Sequence, residues 1–143
     1  MKILVTGANG FIGKNLIAQL KNQNYTDILA YDIDTDPALL DEYAEQCDFV
    51  YHLAGVNRPK NPDAFMRGNF GFTSELLKAL ERHGNKAPVM LASSVQAELN
   101  NPYGKSKRAG EELLLRYGKD NGVRVLVYRF PNVFGKWCRP NYN

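Results

Sequence analysis

Lys2-Ile3-Leu4-Val5-Thr6-Gly7-Ala8-Asn9-Gly10-Phe11-Ile12-Gly13 is the stretch that decides the fold. A continuous apolar run of strand length, Ile3-Leu4-Val5, passes without a spacer into a glycine-rich turn. The turn passes in turn into Ile12, Leu16, Ile17 and Leu20 at helical spacing. Continuous apolar runs mark strands buried on both faces of a sheet. Gly7 permits the sharp turn at the strand end, Gly10 lets the backbone approach an anion, and Gly13 lets helix and strand pack closely. The open N–H groups and positive dipole end of the helix then face that anion. The geometry suits a diphosphate lying along Gly7, Asn9, Gly10, Phe11, Ile12 and Gly13.

The same alternation continues outward. Asp27–Asp32, Asp48–Leu53, Pro88–Ala92 and Val123–Tyr128 are further apolar segments of strand length. Between them Thr73, Leu76, Leu77 and Leu80, and later Gly110, Leu114 and Tyr117, recur at helical steps. Pro37 behind Asp36 opens a short helix to about Gln46, and Gly84 and either Gly118 or Gly122 stand where helices should stop. Strands alternating with helices predict an α/β fold: a doubly wound, Rossmann-like parallel sheet of five main strands with right-handed crossovers and helices on both faces. Asp32 ends the second strand 19 positions after Gly13, where a carboxylate would hold the adenosine ribose hydroxyls of a dinucleotide.

Length and composition agree with one domain over residues 1–143. The apolar share is 44% and the charged share 23%, which excludes a disordered chain or a disulfide scaffold. No apolar run reaches membrane-spanning length, and the start has no signal-peptide layout. Cys47 and Cys138 form no C-x-x-C, so a reduced, cytoplasmic chain is expected, with buried or idle thiols. His52 and His83 lack metal-ligand spacing, and no metal is expected. A net charge of +3 suits an anionic small ligand as well as a polyanion. The tail Pro131–Asn143 carries Val133, Phe134 and Trp137 with no following element to cover them, which predicts the N-terminal part of something larger.

Tyr103-Gly104-Lys105-Ser106-Lys107 places a phenol and an ammonium one helical turn apart. The stripe continues through Gly110, Leu114 and Tyr117, so Lys107 lies in register with the inward face. A neighbouring cation stabilises phenolate and draws the phenol toward proton exchange with a carbonyl or alcohol. The preceding strand ends at Ser93-Ser94, where a hydroxyl could polarise the same oxygen.

The spacing G-x-x-G-x-x-G resembles the short-chain dehydrogenase/reductase superfamily. The resemblance implies a Ser94/Tyr103/Lys107 catalytic triad, with Ser94 rather than Ser93 as last in the serine run. It implies Asn69 as fourth member, although a helix N-cap explains Asn69 nearly as well. His52-Leu53-Ala54-Gly55 is similar to the turn that lies beneath the cofactor's adenine side. Tyr128-Arg129-Phe130-Pro131-Asn132-Val133-Phe134-Gly135 resembles a turn of the extended subgroup, which handles nucleotide sugars. It implies nicotinamide contacts from Pro131 and Val133, and substrate contacts from Ser94 and Asn132.

His52–Pro59, Asn101–Lys107 and Phe134–Asn143 look like the reductase domain of bacterial capsule-assembling enzymes, which adds Arg58 as a substrate contact. The implied reaction reduces a UDP-4-keto-6-deoxy-amino-sugar for capsule or O-antigen synthesis. The cofactor is NAD(H) or NADP(H): Asp32-Ile33-Asp34 favours the former, the resemblance the latter. A substrate subdomain would lie outside this chain, and the helices around Leu76–Leu80 and Leu113–Leu115 imply a homodimer.

Ser94 is followed by Val95-Gln96 where 4,6-dehydratases carry Asp-Glu, which sets dehydration aside. Two other readings stay open: a non-catalytic dinucleotide-binding module, and a nucleotide-sugar epimerase with tightly bound NAD. Lys105, Lys107, Arg108, Arg129, Lys136 and Arg139 suit a UDP diphosphate rather than nucleic acid, since no nucleic-acid motif accompanies them, although solvated surface explains Lys105 and Arg108 better.

Overall fold

A computed structural model describes residues 1–56 and 61–139. Five strands alternate with helices: β1 (Ile3–Thr6), α1 (Phe11–Asn22), β2 (Ile28–Tyr31), α2 (Ala38–Gln46), β3 (Phe49–His52), α3 (Asp63–Met66), a π-helical turn (Arg67–Gly71), α4 (Phe72–Arg82), β4 (Val89–Ser94), a 3-10 turn (Val95–Glu98), α5 (Pro102–Asn121) and β5 (Val125–Phe130). All pairings are parallel, in the order β2-β1-β3-β4-β5. Strand order therefore reverses beside β1, and the crevice at that reversal, outside the carboxyl ends of the strands, is where ligands of open α/β sheets bind.

Register brings the important turns to one edge. Thr6 is level with Tyr31 on one side and His52 on the other, so Gly7, Asp32 and Leu53 leave the sheet together. Because His52 pairs with Leu91, β4 runs on through Ala92, Ser93 and Ser94 past that edge, and Ser94 is level with Phe130. The fourth strand thus reaches the Ser93-Ser94 pair, and the fifth runs two residues past Tyr128, through Arg129 to Phe130.

Alternate residues of β1 feed two cores. Ile3 and Val5 pack with Leu20, Leu16 and Ile17 of α1, whereas Leu4 joins Val50, Leu76, Leu80, Val89 and Leu114 beneath α2, α4 and α5. Each fully buried Leu or Val contributes roughly 1.5–3 kcal/mol. The coverage is uneven, with α1 serving one face and three helices the other. Helix stops follow the glycines only in part: Gly84 and Gly122 adopt φ of 61° and 64°, while Gly118 lies inside α5 against Val125. The Asp36 carboxylate accepts from Ala38 N at 3.0 Å, which caps α2 as its sequence suggested.

Candidate active site

The glycine turn is shaped by contacts that only glycine satisfies. Gly7 has φ of 69°, and a Cβ there would lie 2.7 Å from Ala54 N. A Cβ on Gly13 would collide with the Gly7 carbonyl oxygen and come within 2.8 Å of Ala8 O. Gly10 differs, because its Cβ would meet nothing nearer than Gly7 O at 3.3 Å, so its bareness serves the cleft rather than the packing. No side chain caps α1, which leaves the first-turn amides around Phe11 and Ile12 to a ligand.

At the neighbouring edge, Asp32 Oδ2 accepts from Asn9 N at 2.7 Å and Oδ1 from Ile33 N at 2.7 Å. Asn9 Nδ2 also reaches Asp34 Oδ1 at 3.2 Å, so the loop and the acidic corner hold each other. Leu53 N and Ala54 N both donate to Thr6 Oγ1 at 3.1 Å, which seats the second turn against the first. A cleft of about 850 Å3 opens over this end, with Asp32, Leu53, Ala54 and Gly55 in its walls. Lys14, Tyr31 and Phe72, which the sequence did not single out, line it as well. Trp137, expected to be merely uncovered, instead walls this cleft with Lys136 Nζ 4.7 Å from its ring centroid. Asn15 Nδ2 fastens that segment by donating to Lys136 O at 2.9 Å.

A second cleft of about 490 Å3 adjoins it. Gly10, Phe11, Ile12 and Gly13 form one wall, and Ser94, Tyr103, Lys107, Pro131, Asn132 and Val133 stand across from them. Ser94 Oγ accepts from Gln96 N at 3.1 Å, so its own proton is left for a ligand. Ser93 also borders this cleft, but it is buried, whereas Ser94 is partly open. Gln96 also lines this cleft, at a position the sequence argument used only to set aside dehydration.

Tyr103 sits in the first turn of α5, which Asn101 caps by accepting from Gly104 N at 2.7 Å. Phe65 meets the Tyr103 ring edge-on at 5.5 Å, and Lys107 Nζ lies 5.8 Å from the ring centroid. Lys107 Nζ donates to Ala92 O at 3.3 Å. Burial pushes its ammonium down to about 8, against the upward pull of the Glu111 carboxylate. The lysine is held inside, not reaching past the helix end to water.

Asn69 is not a helix N-cap. The π-helical turn carries it inward, where Val56 N donates to Oδ1 at 2.8 Å while Nδ2 donates to Val56 O at 3.1 Å and Ser106 Oγ at 2.9 Å. It pins the loop after β3 to α5. A Cβ on Gly55 would lie 2.9 Å from Asn69 Oδ1 and 3.0 Å from Lys107 Nζ, so Gly55 keeps this junction open.

One expected phosphate cation is otherwise engaged. Arg129 donates twice to Glu111 at 2.8 Å and to Glu98 at 3.0 Å. Burial raises the Glu111 carboxyl, but the hydrogen bonds and charge of Arg129 outweigh it and leave it below the ordinary carboxylate range. Cys47 is buried, its thiol pushed up to about 11 by desolvation, in keeping with an inert core residue. Arg58 lies outside the described residues.

The donor set fits a dinucleotide. Gly7, Gly10 and Gly13 with the uncapped turn suit the diphosphate, Asp32 a ribose, and Tyr103, Lys107, Pro131 and Val133 face the far end. No described helix is long and apolar enough to cross a membrane.

Comparison with known proteins is consistent with this geometry. UDP-2-acetamido-2,6-beta-L-arabino-hexul-4-ose reductase of Pseudomonas aeruginosa is 48% identical over 143 residues, which is all of this chain and 38% of the reductase. The capsular polysaccharide assembling protein CapF of Staphylococcus aureus superposes with a TM-score of 0.87 at 45% identity, over 100% of this chain and 39% of CapF. RMD of Pseudomonas aeruginosa, solved with NADPH, gives a TM-score of 0.78 at 29% identity, over 99% of this chain and 58% of RMD. The chain therefore spans well under half the length of the first two. The profile of one family matches residues 3–143, nearly end to end. The chain belongs to the NAD dependent epimerase/dehydratase family.

Proposed function

We propose that the protein supplies the NAD(P)-binding domain, residues 1–143, of a cytoplasmic reductase acting on a UDP-4-keto-6-deoxy-amino-sugar in capsule or O-antigen nucleotide-sugar synthesis. The observation that carries this reading is the sharing of one cleft by Ser94, Tyr103, Lys107 and the glycine turn. The identity to a UDP-hexulose reductase supports the substrate class.

A nicotinamide dinucleotide bound there supplies a hydride for the 4-keto carbon. Ser94 Oγ, its lone pair committed to Gln96 N, donates its hydrogen to the keto oxygen. Tyr103 Oη gives its proton to that oxygen as negative charge develops on it, and the Lys107 ammonium stabilises the phenolate left behind. Solvent then returns a proton to Tyr103. Asn132 and Arg58 would contact the substrate, and Asn69 acts through the helix that carries Tyr103. Pairing into a homodimer through α4 and α5 is part of the same proposal, with Leu115 exposed on α5 for it.

The test uses the longest natural form of the protein. It should oxidise NADH or NADPH in the presence of UDP-4-keto-6-deoxy-hexosamine, and Tyr103→Phe should abolish the reaction. An unimpaired Tyr103→Phe rate refutes the acid assignment. Dinucleotide binding without turnover would favour a plain binding module.

A further inference from the structure

His52 ends β3 with its ring buried, and the mechanism above makes no use of it. Its two nitrogens are nevertheless engaged: Nδ1 lies 2.7 Å from Thr6 Oγ1 and Nε2 lies 2.8 Å from Thr73 Oγ1. The neighbours fix which nitrogen carries the proton. Thr6 Oγ1 already accepts from Ala54 N at 3.1 Å and from Leu53 N at 3.1 Å, the latter shared with Thr6 O at 3.2 Å, so two donors converge on it and its own hydrogen is directed to Nδ1. Nε2 therefore bears the hydrogen and donates to Thr73, whose own hydroxyl donates to Asn69 O at 2.8 Å. Asn69 Nδ2 donates to Ser106 Oγ at 2.9 Å, and Ser106 donates to Tyr103 O at 2.7 Å.

Every donor points the same way along this path. It begins under the glycine turn and ends on the backbone of the residue assigned as the acid. Reversing one bond would leave two donors or two acceptors facing each other in the buried interior, which costs more than an ordinary hydrogen bond yields.

We propose that His52, as the neutral Nε2–H tautomer, is a positioning residue that links the seat of the glycine turn to the Tyr103–Lys107 helix through Thr73, Asn69 and Ser106. The role rests on the reductase reading only for its effect on turnover; the tautomer and the chain of bonds stand apart from it. Neutrality matters at the site itself. Burial, with Lys107 adding to it, pushes the imidazole down to about 3, and a charged ring there would in return repel the ammonium beside Tyr103. Among groups facing the ring, Thr6, Thr73 and the Phe72 ring, 5.6 Å away, carry no charge, which leaves Lys107 as the charged group that acts on it.

The experiment has two arms on the longest natural form of the protein. In the first, 15N-histidine labelling reads both ring nitrogens from pH 5 to 8, with His83 as internal comparison and no substrate present. His52 should show the Nε2–H pattern and no titration; an Nδ1–H pattern, or a midpoint near 6.5, overturns the proposal. This arm decides the tautomer even if no ketosugar is ever turned over. In the second, Thr73→Val removes the acceptor and donor at the middle of the path, and Thr73→Ser restores them. The expected result is a fall in kcat of between about tenfold and a hundredfold for Thr73→Val. The dinucleotide Kd should stay within about twofold, and Thr73→Ser should recover most of the loss. A Thr73→Val enzyme that folds with unchanged kcat, or a Thr73→Ser enzyme as impaired as Thr73→Val, refutes the positioning role.

Discussion

Replacing Lys107 by methionine should make the protein more stable at neutral pH while removing its proposed activity. The ammonium is buried, and its pKa falls from 10.5 to about 8, which corresponds to about 3 kcal/mol favouring the unfolded state while the lysine is charged. Methionine fills a similar volume without that charge. It gives up the hydrogen bond to Ala92 O at 3.3 Å, a loss of about 1 kcal/mol. The net gain is about 2 kcal/mol, or about 5 °C in Tm. The pH dependence carries a sign that ordinary repacking does not share. The folded pKa lies below the unfolded one, so between about 8 and 10.5 the unfolded chain binds more protons and the wild type gains stability as pH rises. Urea unfolding of both proteins at pH 6.5 and 9.5 measures this, because groups common to the two cancel in the difference. The stability gap should shrink toward the higher pH. A variant that is no more stable at pH 6.5, or a gap indifferent to pH, refutes the idea that the lysine is retained against the interest of the fold.

Other expectations follow from the same geometry. Gly13→Ala must push the turn apart and should destabilise by about 3 kcal/mol in urea unfolding. Gly10→Ala, with its nearest neighbour at 3.3 Å, should leave stability within about 1 kcal/mol yet weaken dinucleotide binding at least tenfold by fluorescence titration. Asp32→Ser should shift the NADPH-to-NADH preference by about tenfold toward NADPH, because a carboxylate repels a 2′-phosphate; an unchanged ratio of kcat/KM would remove Asp32 from cofactor choice. Arg129→Met leaves the Glu111 carboxylate without its partner and should lower stability at pH 7, read by urea unfolding. Since the folded pKa of Glu111 is depressed, the contribution of the pair is present above the ordinary carboxylate value and is lost as pH falls through the folded value, which an acid-unfolding series would show.

The sheet was readable because its strands are short, apolar and punctuated by glycine, and because one acid stands at the right distance from Gly13. The pairing of Tyr103 with Lys107 was readable for a different reason: helical geometry fixes neighbours four apart. What escaped is whatever depends on long-range seating. Nothing near Asn69 announces that a π-helical turn will carry its amide inward, since that turn is shaped by α5 packing against it. Arg129 reads as a loose cation until Glu111, from another element, is seen beneath it. Trp137 reads as a stray aromatic because the cleft it walls, and the Asn15 amide that fastens the neighbouring Lys136, belong to the far end of the chain. His52 reads from the sequence only as lacking metal-ligand spacing, and its tautomer follows from two backbone amides that meet Thr6 Oγ1.

Helix α5 carries glycine at 104 and 110, where helix propensity alone would advise alanine for about 1 kcal/mol apiece. A methyl at 104 would collide with Gln96 O and come within 2.6 Å of Leu99 O, and one at 110 within 2.9 Å of Asn69 O, so the helix sits flush against three carbonyls. For anyone engineering thermostability, the routine glycine-to-alanine swap is therefore the wrong tool on this helix. It would raise the helix off its bed and carry Tyr103 and Lys107 away with it, trading a sturdier coil for a displaced workbench.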